Sequence, residues 1–368
     1  MRFTLNTKPF QEALSLAVVD ANINSMYQPS ILAQLVATRD KLTLNFEASR
    51  ILSEVQVYGV GDSDEEGVAI VSNKMLKQLV STLDTNTIII EFVEGGITIY
   101  SGKSTFSIPN IVDVLTMKLD KPSRNLGGVS IPVDKAKWKF IKDNQMYAVA
   151  MSFVRPVYTR VWVGDDTDIV TGDMDMSLFT HSNMSDLHSK CLISDTVVNL
   201  INSLPEGASL HPVDDSYVVT VVNDSYSYSS QIFIEYEDAP NTGNYMADVI
   251  LDMMSHPDES ICVNLAALQK ILSQSAIFLE GGKADATIHF ALKDNVVSLH
   301  DKNINGQVPI VSGDFRDFDI EFKTELLSSV LKHFDSENVN VSVLKTDDED
   351  AGLLFWDEYM TTMLAGVE

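Results

Sequence analysis

Apolar positions along the chain follow two periods, and the periods alternate in a fixed order. Ala69 to Tyr100 reads as a short strand, a polar capping position at Ser72, an amphipathic helix, and two strands joined at Glu94-Gly95-Gly96. The same order returns from Cys191 to Val221, with Ser194 as cap and Pro205-Glu206-Gly207 as turn. It returns again from Ile320 to Phe355, with Thr324 as the expected cap and the acidic run Asp347 to Asp350 at the hairpin tip. Val71, Ile193 and Phe322 hold equivalent places about 122 and 129 residues apart, close to a third of the 368-residue chain. Each copy is preceded by a strand leading into a helix, at Arg2 to Val19, Val129 to Met151 and Ser260 to Leu279. The pattern predicts an α+β chain of three similar domains, 1–122, 123–252 and 253–368. Each has two helices packed on antiparallel sheets, so about six helices are expected. Pro, Gly, Asn and Asp gather near Pro109 to Asn125 and Ala239 to Asp258, the expected linkers.

Composition narrows the class. Hydrophobic residues make up 45% and charged residues 21%, without low-complexity tracts, as in folded soluble chains. Lys8 and Glu12 interrupt the first apolar run, and no later run approaches about 18 residues, so neither a secretory signal nor a membrane span is expected. Cys191 and Cys262 each lie in an apolar strand-like run and read as buried reduced thiols, which fits the cytoplasm.

The net charge of −26 would by itself argue against nucleic acid, but its distribution reverses that reading. Lys135, Lys139 and Lys142 fall within roughly 60° of one another on a helix wheel. Lys8, Lys74, Lys77, Lys270, Lys323 and Lys332 also lie in helices or at their entries. With Lys137, ten of the 26 Lys and Arg sit there, against about five acids: Glu12, Asp134, Asp143, Asp195 and Glu325. Acid concentrates instead in loops such as Asp62 to Glu66 and Asp165 to Asp168. For any single helix a solvated lysine face is the better explanation; across the set a basic helical lining inside an acidic exterior explains more, although Asp195 to Leu204 carries no Lys or Arg.

Catalytic and metal chemistry find no footing. SGKS at Ser101 to Ser104 lacks the glycine spacing of a phosphate loop and runs on into a strand. His181, His188 and Cys191 have no second pair to complete a zinc set, and Asp173 and Asp175 lack the glycine and distal glutamate of a calcium loop. No enzyme activity, metal or cofactor is expected.

Collinear segments then carry a resemblance. MRFTLNTKPFQEAL, Pro29 to Leu32, IVSNKMLKQLVSTL and SGKSTFSIP, followed by VRPVYTRVWV, DIVTGDMDM, AIFLEGG and YMTTML, resemble the β-type sliding clamp of bacterial DNA polymerases over nearly the whole chain. The resemblance implies a head-to-tail homodimer whose six domains ring duplex DNA without reading sequence. It implies, too, a polymerase and clamp loader tethered through short peptide motifs. On it, the DNA-facing residues are Lys8, Lys74, Lys77, Lys135, Lys139, Lys142, Arg155, Tyr158, Lys270 and Lys332, with Tyr158 alternatively at the pocket rim. The subunit interface would pair Phe106 and Ile108 with Ile277 and Phe278, which read equally well as core residues. The partner pocket would comprise Gly172, Asp173, Met174, Met176, Leu178, Val249, Met360, Met363 and Leu364. Here the chain departs from the family: Met174-Asp175-Met176-Ser177 replaces Gly-His-Arg-Leu, and the tail lacks Met-Pro-Met-Arg-Leu. That departure fits a divergent member such as one serving a phage polymerase. The rival reading is an acidic DNA mimic that occupies DNA-binding proteins; it accounts for the net charge and leaves the basic helices unexplained.

Overall fold

A computed structural model describes residues 1–17, 32–48, 51–111, 119–149, 160–164, 168–173, 178–187, 190–234, 246–255, 259–278, 286–301, 304–346 and 349–367. The first third holds β1 (Arg2–Asn6), α1 (Thr7–Ala17), β2 (Leu32–Ala37), β3 (Lys41–Ala48), β4 (Ile51–Gly61), β5 (Gly67–Ser72), α2 (Asn73–Ser81), β6 (Thr87–Val93), β7 (Gly96–Ser101) and β8 (Ser104–Pro109). The middle holds β9 (Ile131–Pro132), α3 (Lys135–Asn144), β10 (Arg160–Val163), β11 (Ile169–Asp173), β12 (Leu178–Ser182), β13 (Cys191–Ser194), α4 (Asp195–Ser203), β14 (Ser209–Val213), β15 (Ser216–Val222) and β16 (Tyr226–Phe233). After α5 (Met246–Met253), the last third holds β17 (Ile261–Asn264), α6 (Leu265–Phe278), β18 (Thr287–Lys293), β19 (Val296–His300), β20 (Asn305–Gly313), β21 (Phe318–Lys323), α7 (Thr324–Lys332), β22 (Asn338–Thr346), β23 (Glu349–Trp356) and β24 (Thr361–Ala365).

The described residues form two compact units, 1–135 with 194–235 and 136–193 with 236–368. Each contains one 12-stranded antiparallel sheet system. In the first, β1 pairs with β4 and β6, β6-β7-β8 runs to one edge, and β2 joins β3 to β5. In the second, β17 pairs with β20 and β22, β22-β23-β24 follows, and β18 joins β19 to β21. The two wirings are the same. The middle third supplies the matching halves, β9-β14-β15-β16 to the first unit and β13-β10-β11-β12 to the second.

Local chemistry repeats with the wiring. The N-caps of α2 and α4 are Ser72 and Ser194, whose hydroxyls accept from the amides of Met75 and Val197 at 3.3 Å. At α7 the equivalent cap is Lys323, which makes no side-chain cap bond. The expected cap, Thr324, is instead the first helical residue, with its buried hydroxyl unpartnered. In each copy a side chain of the first helix caps the second helix's last turn. Gln11 donates to the carbonyls of Val80 and Leu83, Gln269 to that of Leu331, and Lys135 to those of Asn202 and Leu204. Gly96 and Gly352 occupy one shared position: an added Cβ would lie 2.3 Å from the Ile108 carbonyl or 2.4 Å from that of Leu364.

Two expectations are corrected. The second linker contains a helix, α5, so the described residues hold seven α-helices. Ile250 within it and Met254 just past its end, four apart, are buried, which supplies the reason a segment read as linker is helical. Cys191 is buried and Cys262 only half-buried, and neither is in a disulfide. Of the spacing weighed for zinc, His181 pairs with Asp168 at 2.8 Å, and His188 lies outside the described residues. Ser101 to Ser104 turn a hairpin between β7 and β8, with Gly102 at φ 59°. Among the described residues no helix is long and apolar enough to cross a membrane.

Candidate nucleic-acid and partner interfaces

Each sheet system contains a seam where strands from different thirds pair. In the first unit β4 takes β16 along Ile51 to Val57, and α1 packs over both strands. A buried Ser53–Ser230 hydroxyl pair at 2.9 Å lies across the seam. In the second unit β12 takes β24, with Leu178 opposite Leu364 and His181 opposite Thr361. Both seams join the fourth strand of one copy to the eighth strand of the next. The same wiring leaves one strand of each kind without a neighbour among the described residues. These are β8 on its side away from β7, and β20 over Asn305–Pro309 on its side away from β19. Pro109 and Pro309 lie in these strands, as prolines in sheets do at edges and bulges.

Ile108 on β8 is buried and Phe106 half-buried. Ile277 and Phe278 are in the last turn of α6. A helix end cannot supply a ladder of main-chain bonds, so the open strand of this copy is β20, beneath α6 where Gly306 meets Ile271.

The helices sort the lysines into two groups. Lys8, Lys74, Lys142, Lys270 and Lys332 are exposed and make no ion pair among the described residues. Within the first unit Lys8 and Lys74 lie on the packed pair α1–α2, with Lys77 half-buried there; within the second, Lys270 and Lys332 lie on the packed pair α6–α7. Lys139 is exposed but paired with Asp143 one turn on. Lys135 is committed to the α4 carbonyls, and burial lowers its pKa from the usual lysine value. The three lysines that share a wheel face therefore have three environments. Arg155 and Tyr158 lie outside the described residues.

Of the expected pocket residues, Gly172 and Asp173 are buried on β11, where a Cβ at Gly172 would lie 1.9 Å from the Phe179 ring. Leu178, Met360, Met363 and Leu364 are buried, while Val249 is exposed on α5. Met174 and Met176 lie outside the described residues. An open cleft of the second unit, about 530 Å³, sits at the His181–Thr361 end of the seam. Its walls are His181 to Met184, Leu251, Met254 and Ser255, and Asp357 to Thr361, so Met360 is the expected residue that lines it. Sequence reasoning missed Leu251, Met254 and Tyr359. The usable signal was the apolar spacing of Ile250, Leu251 and Met254, three and four residues apart, which is that of a helix face and not of a linker.

No protein-family model matches the chain, and no curated protein matches it. Solved structures do. The DNA polymerase III β chain of Streptococcus pneumoniae superposes with a TM-score of 0.74 at 16% identity, covering 100% of this chain and 99% of that one. The β subunit from Pseudomonas aeruginosa gives 0.75 at 15%, covering 100% of both. The Helicobacter pylori β clamp bound to a DNA ligase peptide gives 0.69 at 15%, again over 100% of both. At these identities the likeness speaks for backbone architecture, and the chain has the DNA-clamp fold of the bacterial polymerase III β subunits.

Proposed function

We propose that the protein is a processivity clamp: a non-enzymatic homodimer that encircles duplex DNA and tethers a polymerase and other replication proteins. The observation that carries the proposal is the repeated seam. The chain joins a fourth strand to an eighth strand twice, then, among the described residues, leaves one of each with an open edge. Two copies placed head to tail would satisfy both open edges at two equivalent junctions, and so close on themselves. The three domains would then be 1–122, 123–252 and 253–368, and six of them would make the ring. The exposed lysines on α1, α2, α3, α6 and α7 support a phosphate-facing role, since sliding needs attraction to the backbone without base contacts. The H. pylori relative was solved with a ligase peptide. By analogy the cleft beside α5, whose walls mix apolar and polar side chains, would take a short partner segment, with Met254 and Met360 as adaptable walls. A cytoplasmic replication site follows from that role.

Two measurements test the reading. Solution mass should be about 81 kDa, twice the 40.7 kDa of one chain. Protein loaded on nicked circular DNA should withstand high salt until the circle is cut. A monomer at micromolar concentration, or retention indifferent to linearisation, would falsify it. The rival acidic mimic would show no retention on either form.

A further inference from the structure

The outward face of the sheet in the last third carries a cluster that clamp function does not use. His289 on β18 stands directly opposite His300 on β19. The two rings stack with centroids 4.9 Å apart and 17° between planes. Asp319 on β21 reaches both: its Oδ1 lies 2.8 Å from His289 Nδ1, and its Oδ2 lies 4.0 Å from His300 Nε2. One ligand atom from each residue falls within 4.8 Å of the other two. On the reverse face of the same strands Ile288, Phe290, Leu299, Ile320 and Phe322 are buried, so the backbone beneath the cluster is held by core packing.

We infer that His289, His300 and Asp319 form a binding site for a divalent transition-metal ion of the zinc type. Zinc bonds to imidazole nitrogen and carboxylate oxygen of about 2.0–2.2 Å place neighbouring tetrahedral ligand atoms about 3.3–3.5 Å apart. The separations here, 2.8 and 4.0 Å, bracket that value. Closing on an ion asks only for side-chain adjustment at part-exposed positions on fixed strands, since one ligand atom of each residue is already within 4.8 Å of the other two. Two imidazoles with one carboxylate favour zinc, copper or nickel over magnesium or calcium, which take all-oxygen shells. Glu321 lies opposite His289 in the β18–β21 ladder and on the same face by strand alternation, so it can supply a fourth oxygen; solvent can as well. A bound ion would tie β18, β19 and β21 together on the solvent side, one strand from the open edge of β20.

The test uses the full chain, stripped with a chelator and titrated with Zn²⁺ against a chromogenic competitor. Co²⁺ serves as a spectroscopic probe. One Zn²⁺ per chain is expected, with a rise in Tm on adding Zn²⁺ but not Mg²⁺. H289Q and H300Q should each weaken binding at least about tenfold, the lower bound for disturbing even an outer-sphere partner. The double variant should lose the tetrahedral Co²⁺ bands. These positions are part-exposed, and circular dichroism checks that the variants fold; the wild-type stoichiometry stands without them. No Zn²⁺ bound by wild type, or undiminished binding in a folded double variant, overturns the assignment and leaves a stacked histidine pair with His289 hydrogen-bonded to Asp319.

Discussion

Replacing Lys8, Lys74, Lys142, Lys270 and Lys332 together by Ala should flatten the salt dependence of DNA binding. Each phosphate left without its lysine removes about 0.9 from the slope of log K against log salt, so five such lysines per chain are worth about 4.5. Over a fourfold change from 50 to 200 mM salt that slope corresponds to a ~500-fold change in affinity; Lys142→Ala alone accounts for about 3.5-fold. The prediction is selective because the structure separates these lysines from Lys135, whose ammonium already serves the carbonyls of Asn202 and Leu204. Lys135→Met should leave the slope nearly unchanged and lower stability by about 1 kcal/mol, the net worth of a part-buried hydrogen bond. Fluorescence anisotropy with a labelled duplex across the salt range reads the slopes, and urea unfolding reads the stability. An unaltered slope in the five-site variant, or a Lys135→Met effect as large as that of Lys142→Ala, would show that exposure on these helices does not mark proximity to phosphate.

Phe106→Asp should convert a dimer to monomers in sedimentation, because it puts a charge at a half-buried position on β8 beside its open edge; a persistent dimer would exclude that edge. Phe290→Ala, at a fully buried core position, should cost about 3–5 kcal/mol and lower Tm accordingly. Ser194→Ala should cost about 1 kcal/mol by removing a working cap, whereas Thr324→Val should be neutral or stabilising because the Thr324 hydroxyl has no partner. Burial pushes the Cys191 thiol and the Tyr228 phenol each up to about 12. The folded chain keeps protons that the unfolded chain releases above about pH 8.5 and 10, so this stabilisation is complete below pH 8.5 and is lost as pH approaches 12. Urea midpoints at pH 8 and 10.5 should fall in that order, and equal midpoints would contradict it.

The repeat was legible because it is written in local chemistry. The N-caps Ser72, Ser194 and Lys323 are spaced as Val71, Ile193 and Phe322 are, and Gly95 and Gly207 mark turns with φ of 87° and 82°. Period and turn residues depend on neighbours a few positions away, and one chain displays them directly. The cap at Lys323 was misplaced by one residue because Thr324 has the right chemistry in the wrong place. A hydroxyl cannot cap when its own backbone is already helical.

Partnership across the chain was beyond the sequence's reach. Nothing in the wheel positions of Lys135, Lys139 and Lys142 says that one reaches the end of α4, one pairs with Asp143 and one stays in solvent. The cleft beside α5 and the meeting of His289, His300 and Asp319 likewise depend on strand register between segments far apart in the chain, and a slip of one residue would turn each side chain to the other face. Apolar period and turn chemistry thus determined which elements form and how often they recur. The tertiary structure decided which edges are spent within the chain, which remain open, and which charged groups are free to meet a partner, because those outcomes depend on long-range pairing that local propensity does not encode.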